Sequence, residues 1–250
     1  MSHYALLNNI SHQHTKVMHY FSQELGDNQA SALAFPTEFN ELQKEYPILI
    51  RRDQPDGSYQ ASVLLGLEAG ENLYLDPNLD SGWDAFYIPA QLERGPFLIG
   101  FQNQPGAAIE ELTPVVHIDM AHPKVNEQHG QALFLSQGGN SPYLEHISAR
   151  LQLIHKGMAL APVMFSAFSQ LDLIEPATIE FSLSNGEKYR LTGNYCINTQ
   201  RLAALSGAEL DKLHHSGFLQ LAFAMVNSMS NISRLIERKN RQLQHVHANR

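Results

Sequence analysis

Apolar positions along this chain follow two rhythms. Between residues 46 and 101 they form short runs broken by glycine and proline: Tyr46-Pro47-Ile48-Leu49-Ile50, Leu64-Leu65-Gly66-Leu67, Asn72-Leu73-Tyr74-Leu75, Phe86-Tyr87-Ile88-Pro89-Ala90 and Phe97 onward. Runs this short between turn formers predict short strands. Strands are expected at 48–50, 59–67, 72–75, 97–101 and 115–119, with one helical turn at 88–93, a Gln-Pro-Asp-Gly turn at 54–57 and a loop at 102–107. Later, Ile179, Phe181 and Leu183 alternate with polar residues, as do Tyr189 and Leu191. Asn185-Gly186 stands between them, which predicts a β-hairpin.

The second rhythm is helical. Val17, Met18, Phe21 and Leu25 predict an amphipathic helix over 11–25, and Pro36-Thr37 opens a helix running to Lys44. Ser141 is a good N-cap with Pro142 at the first helical position. Leu144, Ile147, Leu151, Ile154 and Met158 continue that helix, which runs on or restarts past Pro162 to Leu173. Ser206 and Glu209 form a capping box. After Gly217, one long helix over 218–242 carries the stripe Phe218, Leu221, Met225, Met229, Ile232 and Ile236. That stripe suits either a core helix or pairing with a second copy in a homodimer.

These elements make an α+β fold. Short, mostly antiparallel strands fill the N-terminal half, and a β-hairpin braced by long helices fills the C-terminal half. The chain reads as a single domain over 1–250, or as two packed lobes, about 1–137 strand-rich and about 138–250 helix–hairpin–helix.

Composition narrows the classes. With 43% hydrophobic and 17% charged residues, 250 residues suffice for a sizeable core and exclude a disordered chain. A net charge of -8 argues against nucleic acid as a partner. The single cysteine, Cys196, excludes an internal disulfide framework and reads as a buried, inert thiol. No apolar run approaches the roughly 18–20 residues of a membrane span, and no signal peptide is expected, so the expected location is cytoplasmic.

No nucleophile elbow, phosphate-binding loop, dinucleotide fingerprint or zincin motif occurs, so no catalytic residue is assigned and no cofactor is expected. His117-Ile118-Asp119 places an imidazole and a carboxylate on one strand face. With His122, His146 or His155 as a third ligand, it would make the two-His-one-carboxylate set of an Fe(II) oxygenase. The plainer reading has Asp119 capping a turn beside a partly buried His117. Within the short-run region of residues 46–101, Tyr74, Trp83 and Tyr87 would wall a groove for an aromatic or peptide ligand. Arg94 would receive a carboxylate there, with Glu71 and Asn72 nearby. The alternative makes these aromatics core anchors with satisfied polar tips. The basic C-terminal segment, with Arg234, Arg238, Lys239, Arg241 and Arg250, reads as a solvated helix end or as a docking surface for an acidic partner.

The order of these short motifs resembles the SapC family of bacterial proteins. It runs through Glu38-Phe39, Tyr46-Pro47-Ile48, Leu65-Gly66-Leu67, Glu71-Asn72-Leu73-Tyr74, Trp83, Tyr87-Ile88-Pro89-Ala90, Arg94-Gly95-Pro96-Phe97 and Ile118-Asp119. It continues at 171–176, at Gly193 with Ile197-Asn198, at Gly217-Phe218-Leu219 and at 228–231, covering the chain from about Asn8 to Arg238. The family takes its name from a gene linked to surface-layer protein expression. Its members are often encoded beside flavin-dependent tryptophan-halogenase-like proteins, cupin-like oxygenases and TonB-dependent receptors. The resemblance therefore implies a non-enzymatic accessory or binding protein, with a halogenase-like flavoenzyme or a peptide substrate as partner. It supplies no catalytic residues, and the family usually lacks a histidine at the position of His117, which weighs against the oxygenase alternative.

Overall fold

The structure is a computed structural model, and it describes residues 3–52, 57–102 and 113–248. Helices make up 35% and antiparallel sheets 26%, with strands concentrated in the N-terminal half and long helices in the C-terminal half; this is an α+β fold.

In chain order the strands are β1 (Tyr4–Leu6), β2 (Lys16–Val17), β3 (Ser31–Ala34), β4 (Ile48–Arg52), β5 (Tyr59–Leu64), β6 (Phe97–Gln102), β7 (Thr113–Asp119), β8 (Val125–Asn126), β9 (Gln131–Ala132), β10 (Ile174–Ser182) and β11 (Lys188–Ile197). The helices are α1 (Phe39–Leu42, after a 3-10 turn at Pro36–Glu38), α2 (Ala90–Glu93), α3 (Pro142–Gln170), α4 (Thr199–Ala203), α5 (Gly207–His215), α6 (Phe218–Ser228) and α7 (Asn231–Ala248). The end signals act as their chemistry requires. Ser141 Oγ accepts from the Leu144 N–H at 3.2 Å, Pro142 opens α3, and Ser206 and Glu209 cap α5 reciprocally. Pro162 lies inside α3 without ending it. Gly186, at φ 87°, closes the β10–β11 hairpin, where Asn185 Oδ1 accepts from the Glu187 N–H at 3.0 Å.

The chain forms two compact units. The first holds Met1–Asp27, Leu75–Asp84 and Ala90–His155; the second holds Asn28–Tyr74, Ala85–Pro89 and Lys156–Arg250. The units interleave in sequence. In the first unit, two small sheets ordered β1-β7-β6 and β8-β2-β9 accompany the start of α3. Val17, Phe97, Ile118, Leu133, Leu144, Ile147 and Leu151 form its core, each at most 3% exposed. In the second unit, a five-stranded antiparallel sheet is ordered β10-β11-β4-β5-β3. Helix α6 packs on β4 and β11, and Phe168 and Phe218 meet edge to face at 6.5 Å. Among the described residues, no helix is long and apolar enough to cross a membrane.

Three sequence expectations change form. The helix expected over 11–25 is turns plus β2, which pairs with both β8 and β9. Asn8 Oδ1 takes the Ile10 and Ser11 N–H groups and Asp27 Oδ2 takes the Ser22 N–H, so local side chains and long-range pairing satisfy the backbone that a helix would use. The stretch 72–75 contributes a single bridge, Leu75 to Trp83, instead of a strand. The long C-terminal helix is two helices, α6 and α7. At the break, Ser228 Oγ accepts from the Ile48 N–H at 2.9 Å, and Asn231 Nδ2 donates to the Gln43 and Tyr46 carbonyls. These bonds satisfy backbone groups at the entry of β4, which one continuous helix would leave unpartnered. Most of the turn at 54–57 and of the loop at 102–107 lies outside the described residues.

Candidate functional site

The second unit holds the residues 85–89 as a strap, and the strap is fixed by carboxylates and tyrosines. The Glu45 carboxylate accepts from the backbone N–H groups of Phe86 and Tyr87, both at 3.0 Å. Tyr46 donates its hydroxyl to the Tyr87 carbonyl. Tyr87 donates its own hydroxyl to Glu38 Oε2 at 2.8 Å, and Glu38 Oε1 accepts from the Phe35 N–H at 3.1 Å. Tyr74 donates to the Glu45 carbonyl at 2.8 Å, with its ring 4.6 Å from that of Tyr46. Glu38, Tyr46 and Tyr74 are all buried, at 2%, 0% and 1% exposure. This network is charge-assisted and partly buried, with the Phe35 N–H to Glu38 bond at its buried end and the Phe86 N–H to Glu45 bond at its exposed end.

What the strap displays is Phe86. The residue is 104% exposed, the highest value for a large apolar residue among the described residues. A fully wet phenylalanine on a backbone clamped on both its own N–H and its neighbour's is not a fraying loop tip. A lone exposed apolar residue is ordinary; the clamp distinguishes this one.

The residues read from the sequence as a ligand wall fall in both units. Tyr74, Tyr87, Glu71 and Asn72 belong to the second and Trp83 and Arg94 to the first. Tyr87 is half-buried in the strap. Tyr74 is a buried anchor, and the Arg238 guanidinium lies 4.4 Å from its ring centre. Asn72 Oδ1 accepts from the Tyr74 N–H at 3.0 Å. Glu71 pairs with Lys239 at 2.5 Å and accepts from the Leu67 N–H at 2.8 Å, which ties α7 to the 66–71 turn. Trp83 is 3% exposed and meets Phe21 edge to face at 5.5 Å. Arg94 donates to the Phe97 carbonyl at 2.7 Å and to Gln91 Oε1 at 3.3 Å.

The first unit contains its own titratable cluster. Glu93, 7% exposed, lies 2.8 Å from His146 Nε2 and 2.6 Å from Arg150 Nε. Burial lowers the pKa of His19 beside this cluster, against the opposing pull of Glu93. Burial, with help from Glu93, raises that of Tyr143. Lys124 and Asp27 form a buried pair at 2.8 Å, with Lys124 Nζ 3.9 Å from the centre of the Phe21 ring. Asp27 is the partner of Lys124, and Arg150 that of Glu93, so each of these buried charges faces its opposite within the unit.

The His117–Asp119 pair sits on β7. Asp119 Oδ1 accepts from the His3 and Ala121 N–H groups at 2.7 and 3.1 Å, which makes it a turn cap. The His117 imidazole covers Gly100, where an added Cβ would meet the ring at 2.6 Å. His122 Nδ1 takes the Lys124 N–H, His146 faces Glu93, and the exposed His155 ring lies 5.0 Å from that of Phe101. Among the described residues, no three His, Cys, Asp or Glu side chains are grouped to hold a metal ion.

The sequence reading missed Glu45, Glu38 and Phe86 as members of one site. The available signal was weak: a carboxylate next to the Tyr46-Pro47 step, and an aromatic pair before Pro89.

A family model, SapC, matches residues 7–235 of the 250-residue chain. No curated protein and no solved structure matches it.

Proposed function

The chain belongs to the SapC family, and on that footing we propose that it is a non-enzymatic accessory protein that works by docking other proteins. The observation that supports this reading is Phe86, fully exposed on a strap that Glu45 clamps at two successive N–H groups. Phenylalanine, tyrosine and tryptophan bury large apolar areas and dominate the energetics of cores and interfaces. Holding the backbone in advance removes part of the ordering cost that binding must otherwise overcome. Tyr87, half-buried beside Phe86, is the member of the expected ligand wall that we assign to contact with the partner. Glu71, Asn72 and Tyr74 serve as frame residues within the same unit, and Trp83 and Arg94 as frame residues of the first unit. The family resemblance makes a flavin-dependent halogenase-like enzyme, or a peptide handled with it, the partner class to seek. We place the protein in the cytoplasm.

The test is a quantitative pull-down from the native cell with wild-type protein and Phe86→Ser. The variant should lose the specifically captured protein while its circular dichroism and melting temperature stay unchanged. An identical captured set would overturn the docking role. Turnover of a substrate by the purified protein with Fe(II) and 2-oxoglutarate would overturn the non-enzymatic reading.

A further inference from the structure

The five-stranded sheet of the second unit carries a cation without a counterion. Arg51, on β4, is half-buried, and its guanidinium is fixed from two sides. Its Nε donates to Asn194 Oδ1 on β11 at 3.2 Å, and its Nη1 donates to Ser31 Oγ on β3 at 3.1 Å. Both acceptors are neutral. Asn194 is 6% exposed and donates its own Nδ2 to the Thr192 carbonyl at 3.3 Å, so this anchor is itself held. Among the described residues no carboxylate pairs with Arg51, although the chain holds 25 acidic residues against 17 basic ones. Glu175 shares this face of the sheet through its pairing with Cys196, but its charge bears on the Cys196 thiol, whose pKa burial raises first and Glu175 raises further. Burial lowers the pKa of the Arg51 guanidinium, with no facing carboxylate to offset it.

A guanidinium presents its N–H donors in a rigid planar fork. In Arg51 the Nε side of that fork is used, and the edge between Nη1 and Nη2 keeps donors for a further acceptor. Two parallel N–H groups on one edge match the two oxygens of a carboxylate. A partly desolvated charge with only neutral partners is unfavourable, and an arriving anion relieves that penalty. The anchoring by Ser31 and Asn194 also orders the side chain before any ligand arrives, which lowers the entropy lost on binding. Leu33 lies two residues along β3 from Ser31, on the same sheet face, and is 41% exposed. We propose that Arg51 receives the carboxylate of an acid with an apolar tail, the tail lying toward Leu33. That chemistry is shared by a small free acid and by the C-terminus of a peptide that ends in an apolar residue. The proposal does not depend on the docking role of Phe86, so either can fail alone.

The experiment is an NMR titration of the full chain at constant ionic strength with isovalerate, isovaleramide, N-acetyl-leucine and sulfate. Each is taken to ~50 millimolar, the range of one charge-assisted contact with a short apolar tail. Isovalerate should move the Asn194 side-chain amide and the Leu33 methyl signals in a saturable way. Isovaleramide has nearly the same shape without the charge and should not. Tighter binding of N-acetyl-leucine than of isovalerate assigns the site to a peptide C-terminus, and the reverse order assigns it to a free acid. Arg51→Gln should weaken binding by about tenfold or more. Arg52→Gln removes the neighbouring guanidinium, which stacks 4.3 Å from the Tyr59 ring centre on the opposite face, and should bind as the wild type does. Ser31→Ala keeps the Arg51 charge but frees one anchor. It should weaken binding by about three- to tenfold, and it carries the test if Arg51→Gln does not fold. The proposal is overturned if no carboxylate binds the wild type, or if the amide binds as tightly as the acid. It is overturned equally if a folded Arg51→Gln retains full affinity. Sulfate binding as tightly as isovalerate would mark an unselective anion contact and would overturn the carboxylate assignment.

Discussion

Glu45 is the side chain on which the strap depends most, and Glu45→Ala isolates its contribution. The substitution removes two hydrogen bonds from a carboxylate to the N–H groups of Phe86 and Tyr87, both 3.0 Å long. Hydrogen bonds to a charged acceptor contribute about 1.5–3 kcal/mol when buried; Glu45 is half-buried, so the lower end applies. Two such bonds amount to ~3 kcal/mol in the local opening of the strap. At ~1.4 kcal/mol per factor of ten, the amides of Phe86 and Tyr87 should exchange with deuterium about a hundredfold faster in the variant. Glu45→Gln keeps one acceptor oxygen in place without the charge, and should fall near tenfold. The Tyr74 hydroxyl donates to the Glu45 backbone carbonyl, so that bond survives both changes and the surrounding core should stay intact. Residue-resolved hydrogen exchange measures the effect directly. Unchanged exchange at 86 and 87 in Glu45→Ala would refute the clamp. A uniform acceleration across the second unit would show instead that Glu45 supports the whole unit.

Three further outcomes follow from single contacts. Gly82→Ala should destabilise the protein by about 3 kcal/mol or more in thermal unfolding, because Gly82 sits at φ 71° and an added Cβ would lie 2.1 Å from the Phe21 carbonyl oxygen. The Glu209 carboxyl should titrate near pH 2 by NMR, since the Ser206 N–H, the Ser206 hydroxyl and Arg201 all favour its charged form and hold its pKa at about 2. A depressed carboxyl contributes stability that is complete above its ordinary pKa of about 4.5 and is lost as pH falls toward 2; Ser206→Ala should move the midpoint up, and an unmoved midpoint would deny the capping box its role. Metal analysis of untagged protein from metal-replete buffer should give no stoichiometric Fe(II) or Zn(II), and His117→Ala should change nothing; a bound metal lost in that variant would revive the oxygenase reading.

Much of the fold was legible because local chemistry and tertiary packing agree there. The Ser141-Pro142 start of α3, the Ser206–Glu209 box and the Asn185-Gly186 hairpin are written in residues whose backbone preferences admit few alternatives. The helix expected over 11–25 failed for the opposite reason. Val17 and Phe21 are buried at 0% and 2%, but they reach the core from turns and a two-residue strand that borrows partners from 125–126 and 131–132. Helical spacing and such a turn can bury the same positions, and only distant residues decide between them. The break between α6 and α7 was invisible because it serves Ile48 and Tyr46, about 180 residues earlier. The strap was hidden in the same way: Glu45 meets Phe86 across 41 positions, and nothing in either local sequence marks the pair. Aromatic vocabulary drew attention to Trp83 and Tyr74, whose rings are buried. The exposed ring two residues before Ile88 carried no pattern of its own.

The central claim is that Phe86 is a docking residue, and the most direct measurement places a photo-crosslinking phenylalanine analogue at position 86 in the native cell. A second copy of the experiment places the analogue at Phe223, which is 48% exposed and serves as the control for exposure alone. The account predicts a discrete adduct from position 86 that is absent from position 223 and disappears when Glu45→Ala is added. The protein found in the adduct identifies the partner. No discrete adduct from position 86, or the same pattern from both positions, would contradict the account.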